Sequence, residues 1–128
     1  MPDIDTDNID TVKQIIVVNL AVPMGFSQLA VQISHASMLG VLNQGEWLDD
    51  TFQLVTDGDP DLRTWLKDHF TLVVCKTWGK DSIMKLKAEA ESLYLNTAVM
   101  EDYGMVTALA IGPAPASKLS AFKRLTLM

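Results

Sequence analysis

One cysteine, Cys75, in 128 residues allows no intramolecular disulfide, and a reducing, cytoplasmic compartment is the simplest expectation. No apolar run approaches the roughly eighteen residues that a membrane span needs, so no membrane partner is expected. The opening "MPDIDTDNID" lacks the apolar stretch of a secretory signal. Basic residues are also scarce. Lys and Arg number 10 against 16 Asp and Glu, giving a net charge of −6 and a pI near 4.6. That balance argues against a broad electrostatic footprint for nucleic acid. Neither an internal repeat nor a low-complexity tract is present.

The acidity is unevenly placed. Asp3, Asp5, Asp7 and Asp10 precede Lys13, and setting these four aside leaves 12 acids against 10 bases, a net of −2. Residues 1–12 therefore read as an acidic, flexible arm, and residues 13–128 as one domain of ordinary globular composition. "DIDTDNID" does not make a calcium loop. The EF-hand pattern wants Gly sixth and Glu twelfth, where this chain has Asn8 and Gln14.

What is present reads as alternating strands and helices. "KQIIVVNL" is a β-branched run, a strand buried on both faces. Ser27 is the expected N-cap of a helix running to about Leu42. The following "NQGEWLDDTFQLVTDGDP" reads as polar, turn-rich chain. Asp59 and Pro60 are expected to start a short helix, "PDLRTWLKDHF". "FTLVVCKT" reads as a second buried strand. "GKDSIMKLKAEAESLYL" is a helix with Ile83, Leu86, Ala90 and Leu93 on its apolar stripe. "NTAVMED" and "VTALAIGP" are two further strands, and "APASKLSAFKRLTLM" predicts a short amphipathic helix and a tail. The expected class is α/β: a four-stranded mixed sheet with helices on both faces.

The first helix poses the functional question. In "MGFSQLAVQISHAS" the polar side chains Gln28, Gln32 and His35 recur at i, i+4 and i+7, on one face of an otherwise apolar helix. A solvated face would carry Lys or Glu. This stripe is either a buried hydrogen-bonding seam or the wall of a pocket.

"KQIIVV", "MGFSQLAVQISHAS", "WLKDHFTLVV", "EDYG" and "VTALAIGPAP", in that order and spacing, together resemble the type 2 peptidyl-tRNA hydrolases. The resemblance runs from Lys13 to the end of the chain. That family cleaves the ester joining a stalled peptide to the terminal ribose of tRNA, so the resemblance implies that reaction, the family fold and no metal or other cofactor. Gln32 and His35 match the family's first-helix Gln and His, Asp102 its strand-end acid, and Thr107 the threonine opening the next strand. Two departures stand out. The family's helix motif resembles M-G-K-G-K-x-A-A-Q-x-x-H-A, and its two lysines fall on Phe26 and Gln28. Its loop of the type A-G-x-T-x-x-x-P-G is reduced here to "YGM" between Asp102 and Val106.

Ester hydrolysis needs an oriented water, a proton for the leaving oxygen and stabilisation of the oxyanion. His35 or Asp102 can serve the water, and Thr107 can bond substrate or water. Gln28 can donate a hydrogen bond but brings no charge, and losing one charge-stabilising donor typically costs roughly 3–4 kcal/mol in the transition state. Each residue also has a plainer reading: His35 in the core, Gln28 at the helix end, Asp102 ending a strand, Thr107 as a good β-former, and Tyr103 packed on the surface. Tyr103 can alternatively stack on a base. The missing lysine tips the expectation toward a hydrolase-like protein that holds a nucleotide-like small molecule with little or no hydrolysis. Its contacts would be Gln28, Gln32, His35, Asp102, Tyr103 and Thr107. The alternative is an active hydrolase using His35, Asp102 and Thr107 on a tRNA acceptor end. A weaker third reading makes the helix stripe the seam of a homodimer. Trp78 is expected to be the most exposed tryptophan, and Met24 and Phe26 to cover the start of the helix.

Overall fold

A computed structural model describes residues 11–128. The arm expected over residues 1–12 and the rejected calcium loop thus lie almost wholly outside the described residues. The first strand, β1, is Val12–Asn19. It is followed by α1 (Phe26–Leu42), β2 (Glu46–Leu48), β3 (Thr51–Gln53), α2 (Pro60–Lys67), β4 (Leu72–Thr77) and α3 (Lys80–Ser92). Next come β5 (Thr97–Asp102), β6 (Met105–Pro115), a 3-10 helix (Ala116–Phe122) and β7 (Thr126–Leu127).

The main sheet has the order β5-β6-β1-β4-β7. β1 and β4 are parallel, and the other neighbours are antiparallel. Among the described residues the sheet is five-stranded where four strands were expected. The extra strand is β7, which pairs Leu127 with Cys75 and Thr126 with Lys76. Two residues are too few to show an alternating pattern, so the pairing follows only from where the chain end lands. The last helix is likewise a 3-10 turn rather than an amphipathic α-helix. The stretch read as loop between α1 and α2 holds the separate β2–β3 hairpin, with Trp47 edge-on to Phe52 across the strands.

Strand alternation divides the core. Ile16, Val18, Ala108 and Ala110 face α1 through Ala36, Leu29 and Ile33. Ile15, Val17, Leu109 and Ile111 face the opposite way, onto Ile83, Leu86 and Ala90 of α3 and Leu119 and Phe122 of the 3-10 helix. Helices thus cover both faces. Leu93, expected on the α3 stripe, is the C-cap of that helix and is exposed. β4 is less buried than its composition suggests, with Cys75 as its one fully buried residue. α1 lies close against the sheet at Gly40, where a Cβ would sit 2.6 Å from Gln14 Nε2 and 3.1 Å from Ala110 Cβ.

The helix ends follow local chemistry. Asp59 caps α2 as expected, its Oδ1 accepting from Leu62 N at 3.0 Å with Pro60 in the first turn. α1 begins one residue before the expected cap: Gly25 is its N-cap, not Ser27. The Gln28 side chain reaches back, and its Oε1 accepts from Gly25 N at 2.8 Å. This is the backward half of a capping box.

Candidate functional site

The parallel strands β1 and β4 end beside the β5–β6 hairpin, where Asn19 holds three segments together. Its Oδ1 accepts from Ala21 N (3.0 Å) and Gly79 N (2.8 Å), and its Nδ2 donates to Val106 O (2.9 Å). The loop after β1, the start of α3 and the start of β6 are therefore tied to one buried amide. Open α/β sheets bind ligands at this kind of strand end. The sequence signal was available: Asn19 is a polar residue closing an unbroken apolar run.

On the α1 side of the hairpin, three of the six expected site residues meet. Gln32 Nε2 donates to Asp102 Oδ2 at 2.8 Å, and Thr107 Oγ1 donates to Gln32 Oε1 at 2.6 Å. The carboxylate accepts only, so it fixes which end of the Gln32 amide faces it. Gln32 and Thr107 are 2% and 1% exposed. Their polar atoms are engaged inside the protein, and they stand behind Asp102 rather than along an open wall. Asp102 itself is half-buried, and its second oxygen, Oδ1, accepts from Tyr103 N at 2.9 Å. Two of its roughly four lone-pair sites are thus used, and the rest remain for a water or a ligand.

Tyr103 and Gly104 form the hairpin turn with φ of +55° and +72°, the pair of positive angles that two-residue hairpins favour. The Tyr103 ring is 75% exposed. Its backbone steadies Asp102 while its ring faces solvent. Gln28 and His35 are also exposed and stand outside this hydrogen-bonded set. Gln28 uses its oxygen as a helix cap, and His35 borders a shallow apolar cavity of about 300 Å³ with Met38, Leu39, Leu42 and Met100. The polar stripe of α1 therefore has three different fates: cap, buried seam and exposed rim. A second buried seam lies farther along α1, where Ser37 Oγ donates to Gln14 Oε1 at 2.5 Å and Gln14 Nε2 to Ser37 O at 3.2 Å. Sequence reasoning missed Gln14, because its position inside a strand gives no cue that a serine lies opposite.

No Asp, Glu, Lys or Arg occurs between Lys13 and Glu46, so α1 brings no formal cation to Asp102. Lys80 borders a cavity of about 290 Å³ with Asn19, Glu101 and Val106. Val106 belongs to the core on the α3 side, so that lysine sits across the hairpin from the Asp102–Gln32 pair. Phe26, expected as cover for the helix start, is 90% exposed, whereas Met24 packs on the core. Trp47 is more exposed than Trp78 (69% against 61%), and Trp65 is buried, its Nε1 donating to Thr71 O at 2.9 Å. Among the described residues no helix is long and apolar enough to cross a membrane.

Comparison with known proteins identifies the family. The family model "Peptidyl-tRNA hydrolase PTH2" matches residues 12–128. A peptidyl-tRNA hydrolase of Halobacterium salinarum is 34% identical over 110 residues, covering 80% of this chain and 87% of the relative. That of Thermococcus onnurineus is 27% identical over 110 residues, covering 80% and 85%. That of Saccharolobus islandicus is 29% identical over 119 residues, covering 81% and 88%. The chain belongs to the type 2 peptidyl-tRNA hydrolase family.

Proposed function

We propose that this protein hydrolyses the ester between peptide and tRNA, slowly, with Asp102 as the group that holds the attacking water. The observation that carries this reading is the support behind that carboxylate: Gln32 and the Tyr103 backbone fix its two oxygens, and Thr107 fixes Gln32. Such pre-set geometry is what water-mediated ester cleavage requires. In this reading His35, one turn along α1 from Gln32 and open to solvent, exchanges a proton with the leaving ribose oxygen. The Tyr103 ring offers a stacking surface to the terminal base. The reaction is assigned to the cytoplasm on the ground of the translation-related family alone.

The rate is low because no cation from α1 meets the developing negative charge. Loss of one such donor lowers turnover by about 10²–10³. This uncharged helix is also the observation favouring a second reading, in which the same place retains a nucleotide-like small molecule without cleaving anything. Ester release from a peptidyl-tRNA separates the two. Turnover that disappears in Asp102→Asn supports hydrolysis, whereas no release together with a co-purified nucleotide supports retention. A homodimer through the exposed apolar side of α1, at Val31, Met38, Leu39 and Leu42, is part of the proposal. A solution mass of one chain removes that part.

A further inference from the structure

β1, β4 and β5 run in the same direction, and all three end at the edge of the sheet where Asp102 lies. Each is followed by an exposed aromatic side chain: Phe26 after the loop from β1, Trp78 directly after β4, and Tyr103 directly after β5. The hydrolase reading uses only Tyr103. The remaining exposed rings are placed differently. Trp47 and Phe70 pack edge-on against Phe52 and Trp65, and Tyr94 follows α3, near the start of β5 at the other end of the sheet.

The strand register sets the spacing of this edge. Met100, Ala108, Val18 and Lys76 lie in one row across β5, β6, β1 and β4, so three strand spacings of about 4.8 Å put the ends of β5 and β4 roughly 14 Å apart. α1 runs back from the same edge, since Gln32 meets Asp102 at the end of β5 and Ser37 meets Gln14 near the start of β1. Phe26, six residues before Gln32, therefore stands about 9 Å farther out. Two ammonium groups accompany the rings. Lys76 Nζ lies 5.9 Å from the centre of the Trp78 ring, and Lys80 borders the small cavity that also touches Gly104, the residue after Tyr103. Glu101 borders that cavity too, and Asp81 follows Lys80, so charge alone gives an anion little here. A ligand gains more from ring surface. An apolar peptide would use the rings and leave the ammonium groups idle, whereas unpaired nucleotides use both: bases stack on aromatic faces and phosphates meet lysines.

We infer that this edge is a stacking platform for the unpaired 3′ end of an RNA. Tyr103 lies under the terminal base, Trp78 and Phe26 under the bases before it, and Lys76 and Lys80 meet the phosphates. A span of roughly 14 Å holds about four nucleotides at the stacked spacing of about 3.4 Å. The inference rests on the hydrolase reading for the kind of substrate, and on nothing in that reading about cleavage.

Fluorescence polarisation of a labelled, single-stranded RNA hexamer ending in CCA, titrated with the full chain over a range of salt, tests it. Trp78→Ala and Phe26→Ala are each expected to weaken binding about tenfold, and Trp47→Ala, an exposed ring on the separate hairpin, to leave it unchanged. Two lysine contacts predict a salt slope of only about −1.4, and Lys76→Met or Lys80→Met should each make it shallower by about 0.7. A blunt RNA hairpin without an overhang should bind at least tenfold more weakly. The hexamer carries no ester, so its binding is read apart from cleavage: binding by a protein that leaves peptidyl-tRNA intact supports the platform while removing the hydrolase reading, and hydrolysis without hexamer binding does the reverse. The inference is overturned by no binding at millimolar hexamer, by equal binding of the blunt hairpin, or by unchanged affinity in Trp78→Ala or Phe26→Ala.

Discussion

Replacing Gln32 by Leu keeps the volume of a buried side chain and removes both of its hydrogen bonds, so it measures what the amide contributes to holding Asp102. The bond to the carboxylate, at 2.8 Å, is of the charge-assisted kind worth roughly 1.5–3 kcal/mol, and the bond from Thr107 is neutral and worth roughly 0.5–1.5 kcal/mol. The Thr107 hydroxyl has a second acceptor in Met100 O at 3.2 Å, and half-buried Asp102 regains water. Neither group is left stranded, so the penalty stays near the sum of the net bond values. An apolar side chain in the same space returns about 1 kcal/mol. The expected loss is about 2–3 kcal/mol, or roughly 6–12 °C in Tm for a chain of this size. Urea unfolding gives the free energy directly. Thr107→Val, introduced with and without Gln32→Leu, should show a coupling above about 0.5 kcal/mol. A loss below about 0.5 kcal/mol, or effects that simply add, would falsify the claim that these three side chains act as one support.

Gly40→Ala should destabilise by about 1–3 kcal/mol, seen in urea melts, because a Cβ there would press into Gln14 and Ala110. Tyr103→Gly should raise Tm slightly by relieving the positive φ of +55°, while raising KM for peptidyl-tRNA if the exposed ring stacks on a base. An unchanged KM removes Tyr103 from substrate binding. Burial raises the Cys75 thiol above its ordinary value of 9.0. The unfolded chain therefore releases that proton first as the solution becomes alkaline. The stability contributed is complete below about pH 9 and is lost as pH rises through the higher folded value. Melts of wild type and Cys75→Ala should converge above that pH, and parallel curves would contradict the assignment.

The legible parts of the fold were those written in long patterns. The apolar run of β1, the capped start of α2 and the Ile83, Leu86 and Ala90 stripe of α3 declare themselves because burial repeats along them. β7 and the β2–β3 hairpin did not, since strands of two or three residues carry too few alternations to register. At the site, Gln32, Asp102 and Thr107 were legible as a group, but which of them face solvent was not. Spacing places Gln28, Gln32 and His35 on one helix face. Only packing decides that the middle one is covered by β5 and β6 while the outer two are open. Asn19 and Gln14 escaped for a related reason: each acts on partners distant in sequence, across 87 and 23 residues.

The account turns on whether a well-held Asp102 cleaves the ester without a lysine on α1. Single-turnover release of peptide from a peptidyl-tRNA, followed in parallel for the wild type, Asp102→Asn and Gln28→Lys, addresses this directly. Slow release by the wild type, none above background by Asp102→Asn, and faster release by Gln28→Lys despite its lost cap is the predicted result. Release by Asp102→Asn at the wild-type rate, or no release by all three, would contradict it.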